Sequence, residues 1–290
     1  MLDGVRNSPS YKSAADDDPT FLANPLTRGV RLQLDYYKPE VIMREHRIGG
    51  GIVVFGSART PEPSEAKRRL KQVEAALKAK PASPKLKAEV ERAKRVVHNS
   101  RYYDMARDLG KLVSEEGAKG PGPRLVIITG GGPGIMEAAN RGAFDAKAPN
   151  VGLNISLPHE QWPNPYITPE LCFNFHYFAI RKLHFVMRAK ALVAFPGGFG
   201  TLDELFEILT LVQTRKTRSR PVVLVGKAFW NKVFNVDALI EEGVIDPGDK
   251  HLFRYAESAR EAWDSILEWY AQNGQPLVGV PTEAAKPVVA

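Results

Sequence analysis

The sequence has very little cysteine and no long apolar run. Cys172 is the only cysteine among 290 residues, so the chain can form neither an internal disulfide nor a cysteine-based zinc cage. No stretch approaches the ~18 consecutive apolar residues of a transmembrane helix, and the N-terminal residues lack the apolar core of a signal peptide. These absences predict a cytoplasmic protein that makes no contact with a membrane.

Several familiar local signatures are also missing. No G-x-x-x-x-G-K-[ST] sequence occurs, which argues against a P-loop NTPase. The glycines at 130–134 do not complete G-x-G-x-x-G, because isoleucine occupies position 135, and this argues against a dinucleotide oxidoreductase. Neither H-E-x-x-H nor G-x-S-x-G is present, so zinc-protease and α/β-hydrolase chemistry lack their motifs.

The net charge of +7 is concentrated in one segment. Residues 64–100 contain eleven Lys or Arg and four Glu, so this segment carries the whole basic excess. Its apolar residues recur at helical spacing on either side of Pro81 and Pro84, and it has no aromatic residue to stack on bases. We predict an inserted helical hairpin with a solvated basic face and no nucleic-acid partner; an anionic partner for this face is the alternative.

Short apolar runs alternate with helical patterns through most of the chain. The runs expected to be strands lie at 52–55, 125–129, 151–157, 191–195 and 221–225, with a weaker one at 171–175. The helical patterns lie at 102–116, 134–144, 180–188, 201–213, 229–242 and 260–270. Strands that are apolar on both faces and separated by helices predict an α/β fold, a doubly wound, Rossmann-like parallel sheet with helices on both faces.

We expect one domain with an arm before it and a tail after it. The domain covers residues 46–275 and contains the hairpin at 64–100. Residues 1–45 have scattered aromatics without a sustained period, which predicts an arm over the core with a loose beginning. Residues 276–290 predict a flexible tail.

Glycine-rich loops follow three of the predicted strands, with GSAR at 56–59, GGGPG at 130–134 and PGGFGT at 196–201. Glycine lets backbone N–H groups approach a ligand, and the start of a helix supplies unpaired donors. Because ligands bind at the carboxyl ends of such strands, these loops predict a cradle for a phosphate. The residues expected to form it are Gly131, Gly132, Gly134, Gly197, Gly198, Gly200 and Thr201.

The third loop also resembles a family motif. PGGFGTLDE at 196–204 is similar to the P-G-G-x-G-T-x-x-E of the Lonely Guy family, the phosphoribohydrolases that activate cytokinins. Arg181-Lys182 resembles the upstream R-K pair of that family, and the resemblance covers about residues 51–270. Many relatives carry the label lysine decarboxylase, but no lysine here has the S-x-H-K type of context expected for a pyridoxal phosphate enzyme. Phe178-Ala179 depart from the Met-His common in the family, so the preferred base stays open.

The resemblance implies hydrolysis of the N-glycosidic bond of a cytokinin or purine nucleoside 5′-monophosphate, with no metal or organic cofactor. It makes Arg181 and Glu204 the catalytic pair. When the bond between the ribose and the base breaks, positive charge develops on the sugar, and a nearby carboxylate is required to stabilise it. Glu137 is expected to reach a ribose hydroxyl. The family also implies a homodimer or higher homo-oligomer. A non-catalytic carrier of a nucleotide or of molybdenum cofactor on the same fold is the alternative function.

Each of these residues also has a structural interpretation. Glu204 is alternatively an acid favoured by the helix dipole, and Arg181 a surface ion-pair residue. Lys182 points about 100° away from Arg181 on a helix and is expected to pair elsewhere. We expect His176 and His184 to be structural.

Overall fold

A parallel β-sheet forms the centre of the molecule. The computed structural model describes residues 1–117, 124–156, 162–274 and 277. Within these residues the sheet has seven strands in the order β4-β3-β2-β1-β5-β6-β7, and all neighbouring strands run parallel. The strands are β1 (Ile48–Phe55), β2 (Arg124–Thr129), β3 (Asn150–Ile155), β4 (Cys172–Phe175), β5 (Ala189–Ala194), β6 (Val222–Val225) and β7 (Arg254–Ala256).

Helices cover both faces of the sheet. Before β1 lie α1 (Leu2–Arg6), α2 (Pro9–Lys12), α3 (Pro19–Ala23) and α4 (Arg28–Glu45). Between β1 and β2 lie α5 (Pro63–Ala79), α6 (Pro84–Asn99) and α7 (Arg101–Gly117). The remaining helices are α8 (Ile135–Asp145), α9 (Phe178–Arg188), α10 (Phe199–Gln213), α11 (Lys227–Val233), α12 (Val236–Glu241) and α13 (Ala259–Gln272). The predicted doubly wound α/β fold is confirmed by this arrangement.

The sheet separates two apolar cores. Alternate side chains of a strand point to opposite faces, and β1 accordingly contributes Val53 and Phe55 to one core and Ile52 and Val54 to the other. The first core is completed mainly by α9 and α10, and the second by α7, α8 and α13. The helices that carry the predicted site residues are therefore held against the sheet by their buried apolar side chains, α9 and α10 on one face of the sheet and α8 on the other.

The order of the strands reverses between β1 and β5, and a doubly wound sheet binds its ligand in the crevice at such a point. Two hydrogen bonds hold the loops at this crevice together. The Ser57 N–H donates to the Pro196 carbonyl (3.0 Å), and the Ser57 carbonyl accepts from the Ile135 N–H (3.2 Å). The three glycine loops are thus fastened to one another through Ser57.

Three elements differ from the sequence expectations. The arm contains α4, an 18-residue helix with Pro39 inside it; its apolar residues lie on both sides, so no single stripe shows in the sequence. The expected helix at 229–242 is divided into α11 and α12, because the Asn235 side chain accepts from the Ala238 N–H (3.2 Å) and starts a new helix. The strand β7 has only three residues and was not predicted.

The basic segment at 64–100 contains α5 and α6, with Pro84 as the first residue of α6. Some of its charges are paired on the surface, as in the Lys94–Glu91 ion pair (2.8 Å). Leu157, at the end of a predicted strand, and the predicted tail at 276–290 apart from Leu277 lie outside the described residues. No helix in the described part of the chain is long and apolar enough to cross a bilayer.

Candidate active site

Buried amide side chains fix the loop after β2. The Gly131 N–H donates to Thr129 Oγ1 (2.9 Å), and the Asn164 N–H donates to the Gly131 carbonyl (2.8 Å). Asn164 Nδ2 donates to the Gly132 carbonyl (3.1 Å) and to Asn140 Oδ1 (2.9 Å). Because the C=O and N–H of a trans peptide point in opposite directions, the Gly132 N–H faces away from Asn164. The network therefore fixes the backbone of this loop and leaves the Gly132 N–H free of Asn164.

The same loop leads into α8, which brings Glu137 to the edge of the sheet. Gly134 is the N-cap residue of this helix. Glu137 lies in the first turn, where its Oε1 accepts a hydrogen bond from the Tyr103 hydroxyl (2.8 Å). Burial raises the pKa of Tyr103, so this hydroxyl stays protonated and remains a donor. The predicted ribose-binding acid is thus held at the carboxyl ends of the strands.

The loop after β5 is open to solvent where it enters α10. Gly198 is the N-cap residue of α10, and both Gly198 and Gly200 are exposed. Gly197 is required by a close approach, because a Cβ atom there would lie 2.1 Å from Thr201 Oγ1. The first N–H groups of α10 have no partner within the helix. The predicted phosphate-binding residues of this loop therefore surround an accessible helix N-terminus.

Arg181 projects from α9 towards the loop after β2. Its Nε donates to the Leu153 carbonyl (2.7 Å), and its Cζ lies 5.1 Å from the centre of the Phe185 ring. A Cβ atom at Gly130 would lie 2.5 Å from Arg181 Nη2, so the guanidinium group lies directly against this loop. Burial lowers the pKa of Arg181, and the nearby Glu204 opposes that effect. Arg181 is therefore a positioned cation of the crevice and not a surface ion-pair residue.

Glu204 lies in α10 and is only 7% exposed. Burial raises its pKa to about 7, although the charges of Lys182 and Arg181 both act to lower it. Among the described residues, none donates a hydrogen bond to the Glu204 carboxylate. Buried carboxyl groups are normally paired or hydrogen-bonded. An acid left without such a partner, with its pKa near neutrality, is suited to proton transfer and charge stabilisation.

Lys182 has a different environment from its neighbour Arg181. Its Nζ lies 2.9 Å from Asp203 Oδ1 and 3.1 Å from Glu207 Oε2, so it joins α9 to α10. Burial alone would lower the pKa of Lys182, but its pairing with these two carboxylates holds the pKa above its ordinary value. This ion-pair cluster fastens the helix of Arg181 to the helix of Glu204.

Both histidines of interest pack against aromatic rings. His184 is fully buried, with its ring centre 5.4 Å from that of Tyr36 and 5.3 Å from that of Phe175. The ring of His176 contacts Tyr177 at 4.5 Å. Across the described ranges, no three His, Cys, Asp or Glu side chains converge as a metal site requires.

Sequence reasoning did not find Asn140, Asn164 or Ser57. Asn164 stands between two prolines and looks like an ordinary loop residue, and its partners are 24 to 33 positions away. No local pattern signals such a network.

This chain is similar to a family model and to several known proteins. A family model described as "Possible lysine decarboxylase" matches residues 136–266, which include both Arg181 and Glu204. The probable cytokinin riboside 5′-monophosphate phosphoribohydrolase LOGL3 of Oryza sativa subsp. japonica is 26% identical over 194 residues, covering 63% of this chain and 83% of that protein. The cytokinin riboside 5′-monophosphate phosphoribohydrolase LOG1 of Arabidopsis thaliana is 29% identical over 178 residues, covering 59% and 78%. The resemblance to the Lonely Guy family is confirmed.

A solved structure was also matched, that of the molybdenum cofactor binding protein from Rippkaea orientalis, at 18% identity and a TM-score of 0.42, covering 76% of this chain and 94% of that one. The Lonely Guy resemblance and the family model both include the PGGFGT loop. The arm, the basic hairpin and the glycine loop at 130–134 precede the residues that the family model matches.

Proposed function

We propose that this chain hydrolyses the N-glycosidic bond of a cytokinin or purine nucleoside 5′-monophosphate, releasing the free base and ribose 5-phosphate. The observation that carries the proposal is the buried Glu204 carboxylate, which accepts no hydrogen bond from the described residues and has Arg181 nearby. Its pKa of about 7 suits an acid or base that acts near neutral pH. The relatives named as phosphoribohydrolases support the same class of reaction.

The phosphate is expected to bind at the open N-terminus of α10. Gly198 and Gly200 are exposed there and offer backbone N–H groups, and the Thr201 hydroxyl lies beside Gly197. A helix N-terminus favours a dianion through both its free donors and its dipole. Gly132, on the neighbouring loop, offers one further N–H. A phosphate held here directs the attached ribose towards Glu204, which lies farther along the same helix.

In the reaction, the bond between C1′ and the base nitrogen breaks, and its electron pair leaves with the base. The ribose C1′ then carries positive charge, which the ionised Glu204 stabilises. Water adds its oxygen to C1′ and gives a proton to Glu204. Glu204 then passes that proton to the base nitrogen, which completes the products and returns the carboxylate to its ionised form. Arg181, held by the Leu153 carbonyl, orients the ribose phosphate through its fixed fork of donors.

The experiment that tests this proposal is a panel of nucleotides. AMP, isopentenyladenosine monophosphate, GMP, IMP and CMP are each incubated with the protein, and free base and ribose 5-phosphate are separated by chromatography. We expect both products to be released from at least one purine nucleotide, and the nucleotide that is hydrolysed identifies the preferred base. Tight binding of a nucleotide without any release would contradict the proposal and favour the carrier function.

We also propose that the protein is a homodimer or higher homo-oligomer. The helix α9 exposes Phe178, Leu183 and Met187 to solvent, on the same helix as Arg181. Exposed apolar groups that cluster near a site are typical of an interface. Light scattering of the purified protein is expected to give a mass at least twice 32.1 kDa, and a monomer would contradict this part of the proposal.

A further inference from the structure

One helix of the arm runs along the helix that carries Arg181. The helix α4 contacts α9 and β1, and it lies outside the residues that the family model matches. Its contacts with α9 occur at the beginning, the middle and the end of that helix. They are made by side chains and backbone groups of both segments.

At the beginning of α9, the carboxylate of Asp35 closes the helix end. Asp35 Oδ2 accepts from the backbone N–H of His176 (2.9 Å) and from that of Tyr177 (2.8 Å). Tyr177 is the N-cap residue of α9, and its own side chain caps nothing. A negative charge at this end also complements the helix dipole. Asp35 therefore binds, from α4, the N–H of the N-cap residue of α9 and the N–H before it, and so fixes the backbone where this helix begins.

A second contact at the same end comes from Arg31. Its Nε donates to the Tyr177 hydroxyl (3.1 Å). Its Nη1 donates to the carbonyls of Leu22 and Asn24, the latter at 2.7 Å, and so ties the preceding part of the arm to the same point. The backbone and the side chain of Tyr177 are thus both held by α4.

The middle and the end of α9 are held as well. His184 Nε2 lies 3.2 Å from the Tyr36 carbonyl, and the two rings are in contact. Arg188 forms an ion pair with Glu40 at the end of the helix. One helix of the arm therefore holds α9 along its whole length.

These contacts bear on Arg181 through Tyr177. The Arg181 N–H donates to the Tyr177 carbonyl (3.2 Å), so the residue capped by Asp35 starts the helical turn that carries Arg181. We propose that α4 is a clamp that sets the position of Arg181, and that Asp35 is its main positioning residue. The consequence for turnover rests on the proposed function, whereas the restraint on α9 does not.

Hydrogen exchange of the full-length protein tests the restraint. In Asp35→Ala, amides in residues 178–188 are expected to exchange at least tenfold faster than in the wild type. Asp35→Asn keeps an acceptor oxygen, so its exchange rates are expected to lie between those of Asp35→Ala and the wild type. Glu45→Ala is the matched control, because Glu45 is an exposed acid on the same helix. Unchanged protection of residues 178–188 in Asp35→Ala would overturn the proposal whatever reaction the protein catalyses.

A double-mutant cycle tests the link to Arg181. Asp35→Ala is expected to lower kcat by about 10- to 100-fold, since small displacements of a positioned group have effects of that size. In an Arg181→Lys background the same change is expected to have less than a twofold effect, because the group that it positions is already altered. An equal loss in both backgrounds would show a general loss of folded protein and overturn the positioning role. If the wild type releases no base from any nucleotide, the proposed function fails, and the exchange experiment still decides whether Asp35 holds α9.

Discussion

Replacing Glu204 by glutamine is expected to stabilise the folded protein above neutral pH. Burial raises the pKa of Glu204 from 4.5 to about 7. At about 1.4 kcal/mol for each pKa unit, keeping this carboxylate ionised in the fold costs about 3 kcal/mol. Glutamine has nearly the same shape and no charge, so Glu204→Gln removes that cost.

The sign follows from proton binding in the two states. Between pH 4.5 and about 7 the folded protein retains a proton on Glu204 that the unfolded chain has released. The ionisation of Glu204 therefore lowers the free energy of unfolding of the wild type across this interval. Above about pH 7 Glu204 causes no further change. Glu204→Gln lacks the contribution, so its advantage grows from near zero at pH 4.5 to about 3 kcal/mol at pH 8.

Urea denaturation of both proteins at pH 4.5 and pH 8 measures this difference. Glu241→Gln is a matched control, because Glu241 is an exposed acid at the end of α12 and the same chemical change there removes no burial cost. We expect the control to change the free energy of unfolding by less than about 0.5 kcal/mol at either pH. A Glu204→Gln variant that is less stable than the wild type at pH 8 would contradict a burial cost at Glu204. An equal change in stability at both pH values would contradict it too.

Further predictions concern the same crevice. The kcat/KM for a hydrolysed nucleotide is expected to rise with pH through about 7, the pKa to which burial raises Glu204, because the ionised carboxylate is the active form; a rise centred near 4.5 would contradict this. Gly197→Ala places a Cβ atom 2.1 Å from Thr201 Oγ1 and is expected to weaken AMP binding at least tenfold by calorimetry. Asn164→Ala leaves the Gly131 and Gly132 carbonyls without the side-chain donor that they share. It is expected to lower the free energy of unfolding, measured by urea denaturation, by about 1–3 kcal/mol.

Two matched variants serve as controls for the last two predictions. Gly248→Ala adds a Cβ that meets no atom within 4 Å, at an exposed glycine that is not among the predicted site residues, so AMP binding should not change. If Gly197→Ala binds AMP as well as the wild type, the close approach of position 197 to Thr201 Oγ1 is not needed for AMP binding. Asn174→Ala removes an exposed asparagine and should alter stability by less than about 0.5 kcal/mol. An equal loss in Asn164→Ala and Asn174→Ala would contradict the role given to the buried network.

The sheet and its glycine loops were predictable because their signals are local. Each central strand is a short apolar run, and each loop follows its strand directly, as in the segment from β5 to Glu204. The helix α4 has apolar residues on both sides and an internal proline, so its sequence lacks the stripe that indicates a helix. Its packing against α9 and β1 explains why it forms.

The contacts that organise the site were not predictable because they join distant parts of the chain. Asp35 caps a helix that begins more than 140 positions later, and Asn164 binds a loop about 32 positions earlier. Neither residue belongs to a motif with fixed spacing. The environment of Glu204 is similar, since its raised pKa results from burial that only the folded chain creates.

The most direct test of the central claim compares wild type and Glu204→Gln on the nucleotide that the panel identifies. Calorimetry measures binding, and chromatography under single-turnover conditions measures the release of free base and ribose 5-phosphate. We predict that Glu204→Gln binds the nucleotide within about threefold of the wild-type affinity and releases base at least 1,000-fold more slowly. This loss lies within the range of about 100- to 10,000-fold that general acid–base catalysis contributes. Glu241→Gln is expected to bind the nucleotide and release base as the wild type does. Release by Glu204→Gln at the wild-type rate would contradict the claim that this buried carboxylate performs the chemistry.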